Sequence, residues 1–238
     1  MSLLDGGTLT YLGHSTFHLL TSGGQKILID PWIQNNRYCP EELKDVGPLD
    51  LILITHGHGD HAEDAPQIAR DTQALVICTA PVARWLKSHG VHNIATMNKG
   101  GTFKINGLQI SMVHADHNSE IMEGDQAWPG GEPVGFVVDM ENGITVYHAG
   151  DTAVFGDMEL IREIYQPKVA LLPIGDRYTM GPLEAAYAAR LLGAPTVVPM
   201  HYGTFPLLTG TPEQFEKSLR RLALDTEVRA LKPGETLT

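Results

Sequence analysis

A chain of 238 residues with 42% hydrophobic side chains can cover one sizeable core, and residues 1–238 read as a single domain. With 17 Lys and Arg against 28 Asp and Glu the net charge is −11, and no basic run of five occurs, which argues against nucleic acid as a partner. Two cysteines are too few for a disulfide framework. The sequence has neither a span of transmembrane length nor a basic-then-apolar leader at Met1–Gly7, so we expect a cytoplasmic protein without membrane insertion.

Thr8 to Leu12, Thr16 to Leu20 and Lys26 to Ile29 read as early strands, broken by the turn signal Ser22-Gly23-Gly24. Leu51-Ile52-Leu53-Ile54 is a continuous apolar strand that ends in the loop Thr55 to His61. Pro81 to His89 reads as a helix closed by Gly90. Leu108, Ile110 and Met112 alternate with Gln109 and Ser111, the pattern of a strand with one buried face. Ser119 to Pro133, containing Trp128-Pro129-Gly130-Gly131, has the length and the Gly and Pro content of a mobile loop; a lid over a site and an ordinary surface loop are both open readings. Pro182 to Leu192 is a helix with proline in its first turn and Gly193 at its end. Thr211-Pro212-Glu213-Gln214 opens another, because Thr followed by Gln three residues on is a capping box. Strands and helices interleave without a linker. The fold class is therefore α/β, with two sheets face to face and helices outside them in a four-layer αβ/βα sandwich.

The loop Thr55-His56-Gly57-His58-Gly59-Asp60-His61 packs three imidazoles and a carboxylate into one strand end. These are the ligands that zinc, iron and manganese prefer. Alternate residues of an extended loop turn His56 and His58 the same way and leave Asp60 and His61 to reach a second point, so two metals fit better than one. Further candidates follow other apolar runs. Ile110 to Val113 leads into His114-Ala115-Asp116-His117, Ile144 to Tyr147 into His148-Ala149-Gly150-Asp151, and Thr196 to Met200 into His201. Strand ends gather ligands from distant positions onto one edge of a sheet.

The order His-x-His-x-Asp-His at 56–61, then His117, then the Asp of His148-Ala149-Gly150-Asp151-Thr152, then His201 resembles the metallo-β-lactamase superfamily of hydrolases. Over nearly its whole length the chain is similar to a family of small bacterial and archaeal metal-dependent hydrolases. Gly13-His14-Ser15, Ile29-Asp30-Pro31-Trp32, Leu172 to Asp176, Tyr178 to Pro182 and Pro199 to Thr204 carry that likeness. It departs at His117-Asn118-Ser119, where relatives carry His-Ser-Ser.

The resemblance implies a sandwich of the metallo-β-lactamase type. It implies His56, His58 and His117 on a first metal, Asp60, His61 and His201 on a second, and Asp151 shared between them. The ions would be two divalent cations, zinc first, with manganese, nickel and iron as alternatives. A hydroxide between them would be the nucleophile, with Asp60 and Asp151 as the carboxylates that serve the reaction. Relatives with a His-Ala-Gly-Asp-Thr type of segment include sugar-phosphate lactonases and phospholipid phosphodiesterases, which points to a small-molecule lactone, ester or phosphodiester. The alternatives are a nuclease or RNA-processing hydrolase on the same fold, which the charge disfavours, and a non-catalytic metal-binding protein, which would be expected to have lost a ligand. A homo-oligomer is compatible with the sequence.

His117 is preferred to His114 because the superfamily ligand sits at the later of two such histidines. His148 reads as fixing the loop before Asp151, and Asp30 resembles the carboxylate that buttresses the first metal loop. His14 either lines the site or is a satisfied polar core residue; His18, His89 and His92 look like ordinary strand or helix-end residues. The resemblance implies that Asp176, Met180 and Gly181 lie near the cleft. Trp32, Tyr38, Phe155, Tyr178, Tyr202 and Phe205 either wall it or belong to plain core.

Overall fold

Continuous apolar strands need cover on both faces, and the chain supplies it by enclosing two sheets between helices. A computed structural model describes residues 2–238. In chain order come β1 (Thr8–Gly13), β2 (Thr16–Leu20), β3 (Lys26–Ile29), β4 (Leu51–Leu53), α1 (Gly59–Ala62), α2 (Ala65–Thr72), β5 (Leu75–Thr79), α3 (Ala80–Ser88) and β6 (Ile94–Met97). They are followed by β7 (Thr102–Ile105), β8 (Leu108–His114), β9 (Glu120–Glu123), β10 (Gln126–Pro129), β11 (Val134–Asp139) and β12 (Thr145–His148). The last part holds α4 (Met158–Tyr165), β13 (Val169–Pro173), α5 (Pro182–Leu192), β14 (Thr196–Met200), α6 (Pro212–Arg221), β15 (Glu227–Val228) and β16 (Thr236–Leu237).

Both large sheets are mixed. One runs β16-β1-β2-β3-β4-β5-β6, antiparallel as far as β3 and parallel from β3 to β6. The other runs β15-β14-β13-β12-β11-β8-β7, parallel from β12 to β15 and antiparallel from β12 to β7. Side chains alternate between two cores. Ile27 and Ile29, Leu51 and Leu53, and Ile77 share one cluster with Ile110, Met112 and Phe136 of the opposite sheet. Leu28, Ile52, Val76 and Cys78, on the other face, join Ile68 and Ala69 of α2 and Val82 and Leu86 of α3. The alanines of α5, at 185, 186, 188 and 189, are buried against the second sheet, where short side chains let the helix lie close. Each fully buried Leu or Ile contributes about 1.5–3 kcal/mol, so the shared core holds the two sheets face to face.

The capping box forms as expected: Gln214 N–H donates to Thr211 Oγ1 (3.3 Å), and Thr211 N–H donates to Gln214 Oε1 (3.0 Å). Ser119 to Pro133, expected as a mobile loop, instead contains the antiparallel pair β9 and β10. One carboxylate holds this hairpin down. Glu123 accepts from Trp85 Nε1 (2.7 Å) on α3 and from Trp128 Nε1 (2.8 Å), while His89 Nε2 stands 2.8 Å away. Ile121 is buried beside Gly57, whose N–H donates to Ser119 Oγ (3.0 Å), so the hairpin braces the loop that carries His56 and His58. No helix among the described residues is long and apolar enough to cross a membrane.

Candidate metal centre

The chemistry-bearing residues leave the carboxyl ends of strands that run the same way within each sheet. His14 follows β1, Asp30 follows β3, and Thr55 to His61 follow β4; His117, Asp151 and His201 follow β8, β12 and β14. The two edges meet, and the side chains converge in two groups. His56, His58, His117 and Asp151 each bring one ligand atom within 4.8 Å of the others, and so do His14, Asp60, His61 and His201. Asp151 faces both. Its Oδ2 lies 3.0 Å from His201 Nε2, 3.7 Å from His117 Nε2 and 3.9 Å from His56 Nε2, and its Oδ1 lies 3.3 Å from His61 Nε2. His56 Nε2 is 3.0 Å from His58 Nδ1, and His14 Nε2 is 3.1 Å from Asp60 Oδ2.

Asp30 sets the orientation of the rings from behind. Its Oδ1 accepts from Thr55 N–H (2.8 Å); its Oδ2 accepts from the Thr55 hydroxyl (2.7 Å) and from His61 Nδ1 (2.8 Å). With its proton given to Asp30, the Thr55 hydroxyl accepts from His56 Nδ1 (3.0 Å). Both imidazoles therefore spend their N–H outward and turn an Nε2 lone pair toward Asp151. Asp30 also stands close enough to His56 and His61 to form a third group, but its oxygens are occupied on the far side of the rings.

This arrangement fits a cation. His61 Nε2 and Asp151 Oδ1 are buried and have no hydrogen-bond partner, so a lone pair faces a lone pair unless a positive charge lies between them. Burial opposes charge on His61, but the Asp151 and Asp30 carboxylates outweigh it and raise the imidazole well above its ordinary range. Burial likewise opposes charge on Asp151, yet His201 and His61 hold its carboxyl well below the usual range. On Asp60 burial is outweighed by His14 and His61 in the same direction. Burial, reinforced by His61, pushes His56 well down and His58 down; for His117 burial also outweighs Asp151. Neutral imidazole is the form that ligates a metal, which His56, His58 and His117 favour already, whereas a cation would displace the proton that the carboxylates hold on His61.

His148 lies in neither group. Its Nε2 donates to Ser15 O (2.9 Å) and its Nδ1 accepts from Gly150 N–H (3.1 Å), which ties the Asp151 loop to the β1–β2 corner. His114 ends β8 exposed, with Nδ1 3.4 Å from Lys99 Nζ and its ring edge-on to Phe155. Trp32 meets His14 edge-on at 5.2 Å and stacks on Phe205, so these two aromatic residues flank the centre. Phe155 stands by His114, Tyr38 lies under Arg37, Tyr178 is exposed and Tyr202 half-buried. Met180 N–H donates to Thr152 O (3.1 Å), which anchors the 176–180 turn beside Asp151, while the Asp176 side chain is exposed. Sequence reasoning gave no role to Thr55 or to Thr204, whose Oγ1 lies 3.0 Å from His14 Nδ1. Position ahead of His56 at a strand end was the available signal for Thr55. His14, left between core and site, stands in the second group.

Residues 25–202 match the model of the beta-lactamase superfamily domain; His14 lies ahead of that span. A UPF0173 metal-dependent hydrolase of Rubrobacter xylanophilus is 55% identical over 236 residues, covering 99% of this chain and 98% of its own. The solved structure of a metallo hydrolase from Ignicoccus hospitalis superposes with a TM-score of 0.85 at 39% identity, covering 97% of each chain. A metallo-beta-lactamase fold protein of Bacillus subtilis gives 0.72 at 16% identity, covering 97% of this chain and 98% of its own, a likeness of fold alone. A superfamily match across most of the chain and a relative of this identity at full length settle the lineage: the chain belongs to the UPF0173 family of metal-dependent hydrolases of bacteria and archaea, within the metallo-β-lactamase superfamily.

Proposed function

We propose that this hydrolase holds two divalent cations, zinc by preference, and cleaves a small-molecule lactone, ester or phosphodiester. The observation that carries the reading is Asp151, a buried carboxylate whose two oxygens face imidazoles of both groups. His56, His58 and His117 would hold one cation, and Asp60, His61 and His201 the other. Asp151 would be common to both. Bound there, such cations supply Lewis acidity and bring the pKa of a shared water toward neutrality. The protein's part is to turn the imidazoles, through Asp30 and Thr55, so that each Nε2 faces Asp151, and to hold Asp151 in place through His148 and Gly150.

A cysteine nucleophile finds no support. Cys39 and Cys78 are buried, and burial pushes their thiols up to about 11 and about 12, far from a reactive thiolate. The same two free thiols suit the reducing cytoplasm in which we place the protein. A net charge of −11 favours a small molecule over a polynucleotide as substrate. The test is reconstitution of chelator-treated protein with Zn, Mn, Ni or Fe, followed by a panel of lactones, esters and phosphodiesters. Turnover of one class that vanishes on chelation and returns with metal is expected. Two bound equivalents with no turnover of any of the three classes would overturn the substrate assignment, and cleavage of RNA or DNA alone would replace it.

A further inference from the structure

His14 is not among the seven ligands assigned above, yet its ring stands with three of them. Its centroid is 4.0 Å from that of His201 and 5.5 Å from that of His61, and its Nε2 is 3.1 Å from Asp60 Oδ2. We propose that His14 Nε2 is itself a ligand of the second cation, which then takes His14, Asp60, His61 and His201 together with the shared Asp151. The inference rests on the binuclear reading above and adds a protein donor to it.

Two arrangements could produce the 3.1 Å contact, a hydrogen bond from His14 to Asp60 or two donors aimed at one ion. The far side of the ring favours the second. His14 Nδ1 faces Thr204 Oγ1 at 3.0 Å, and that hydroxyl can pass its own proton on to Tyr202 O at 3.4 Å. A ring that donates from Nδ1 to Thr204 turns an Nε2 lone pair inward, as His61 does by donating to Asp30. Spacing agrees with this. Donors about 2.0–2.1 Å from one ion and at right to tetrahedral angles from one another stand about 2.9–3.4 Å apart. The His14–Asp60 contact at 3.1 Å matches the inward-facing pairs His56–His58 at 3.0 Å and His61–Asp151 at 3.3 Å.

The backbone is built for the purpose as well. His14 takes a left-handed conformation, φ +58°, and its carbonyl accepts from His201 N–H (2.8 Å) and from the Tyr11 hydroxyl (3.0 Å). This turn at the end of β1 sets the ring over His201 and beside Asp60. It also couples the backbones of His14 and His201, two ligands of the same ion. The sites then differ, with four protein donors at the first and five at the second.

The test uses the full chain stripped of metal and titrated with cobalt, then cadmium. Wild type should take two equivalents. His14→Ala should lower affinity for one equivalent by at least about tenfold, leave the other unchanged, and alter the visible spectrum of the weakened cobalt site. His14→Gln keeps an N–H that can reach Asp60, so a merely positioning His14 would be rescued by it and a ligand would not. In wild type loaded with ¹¹³Cd and labelled with ¹⁵N-histidine, each cadmium should couple to three ring nitrogens. This readout does not depend on any variant folding. Rescue of affinity and spectrum by His14→Gln, or one cadmium coupled to only two ring nitrogens, would overturn the inference while the binuclear reading stands. A wild type that takes one equivalent would overturn both.

Discussion

Replacing Asp30 by Asn should cost metal before it costs the fold. The carboxylate is fully buried and accepts three hydrogen bonds, from Thr55 N, Thr55 Oγ1 and His61 Nδ1. An amide that keeps its oxygen on Thr55 N presents NH₂ to the other two. His61 must then accept at Nδ1 and carry its proton on Nε2, which takes away the lone pair that faces Asp151. Bonds to a charged acceptor contribute about 1.5–3 kcal/mol each. Relief from burying a carboxylate offsets part of that loss, so the metal-free variant should be about 2 kcal/mol less stable by urea midpoint. Affinity for the cation held by His61 should fall about 10–100-fold in competition with a chelator. Asp30→Ala leaves all three donors without a partner, and should cost about 3–5 kcal/mol. If D30N took up both cations with wild-type affinity, control of the His61 tautomer by Asp30 would not be what tunes the site.

Asp151→Asn removes the charge that faces both groups while nearly preserving shape, so elemental analysis should show loss of at least one equivalent with an unchanged circular-dichroism spectrum. His117→Ala should lower metal content, whereas His114→Ala, exposed beside Lys99, should leave it intact; the reverse stoichiometry would show that the wrong histidine was assigned. Gly150 has φ +63°, and an added Cβ would lie 2.6 Å from Val134 O and 3.0 Å from Thr55 Cβ, so Gly150→Ala must strain the loop that presents Asp151. A cost of about 2 kcal/mol should lower the Tm of the metal-free protein by about 4–8 °C, and an unchanged Tm would mean the loop yields freely.

What could be read from the sequence was what local chemistry fixes. The first three strands, the proline-led α5, the capping box of α6 and the loop at 55–61 all carry their own signals. Helix α4 does not, and α2 carries only Pro66 in its first turn. Neither has a capping side-chain hydrogen bond at its start, and each ends on a glutamine in the left-handed conformation, Gln73 and Gln166, where glycine or asparagine is the usual signal. The hairpin at 120–129 depends on Glu123 meeting Trp85 from another element, a partnership that no local window contains. The metal centre divides along the same line. Strand-end histidines are visible as a pattern, and the preference for His117 over His114 came from family order; in the structure His114 ends β8 exposed while the next turn of chain brings His117 inward. The place of His14 depends on β1 ending beside the chain that leaves β14, with His201 N–H bonded to its carbonyl. His14, Asp30 and His201 all take positive φ, a conformation that histidine and aspartate tolerate better than most residues. Three such turns at the meeting edges of two sheets set rings and carboxylates facing one another, with His14 4.0 Å from His201 between ring centroids and 3.1 Å from Asp60, a convergence that only the assembled fold produces and that no local window contains.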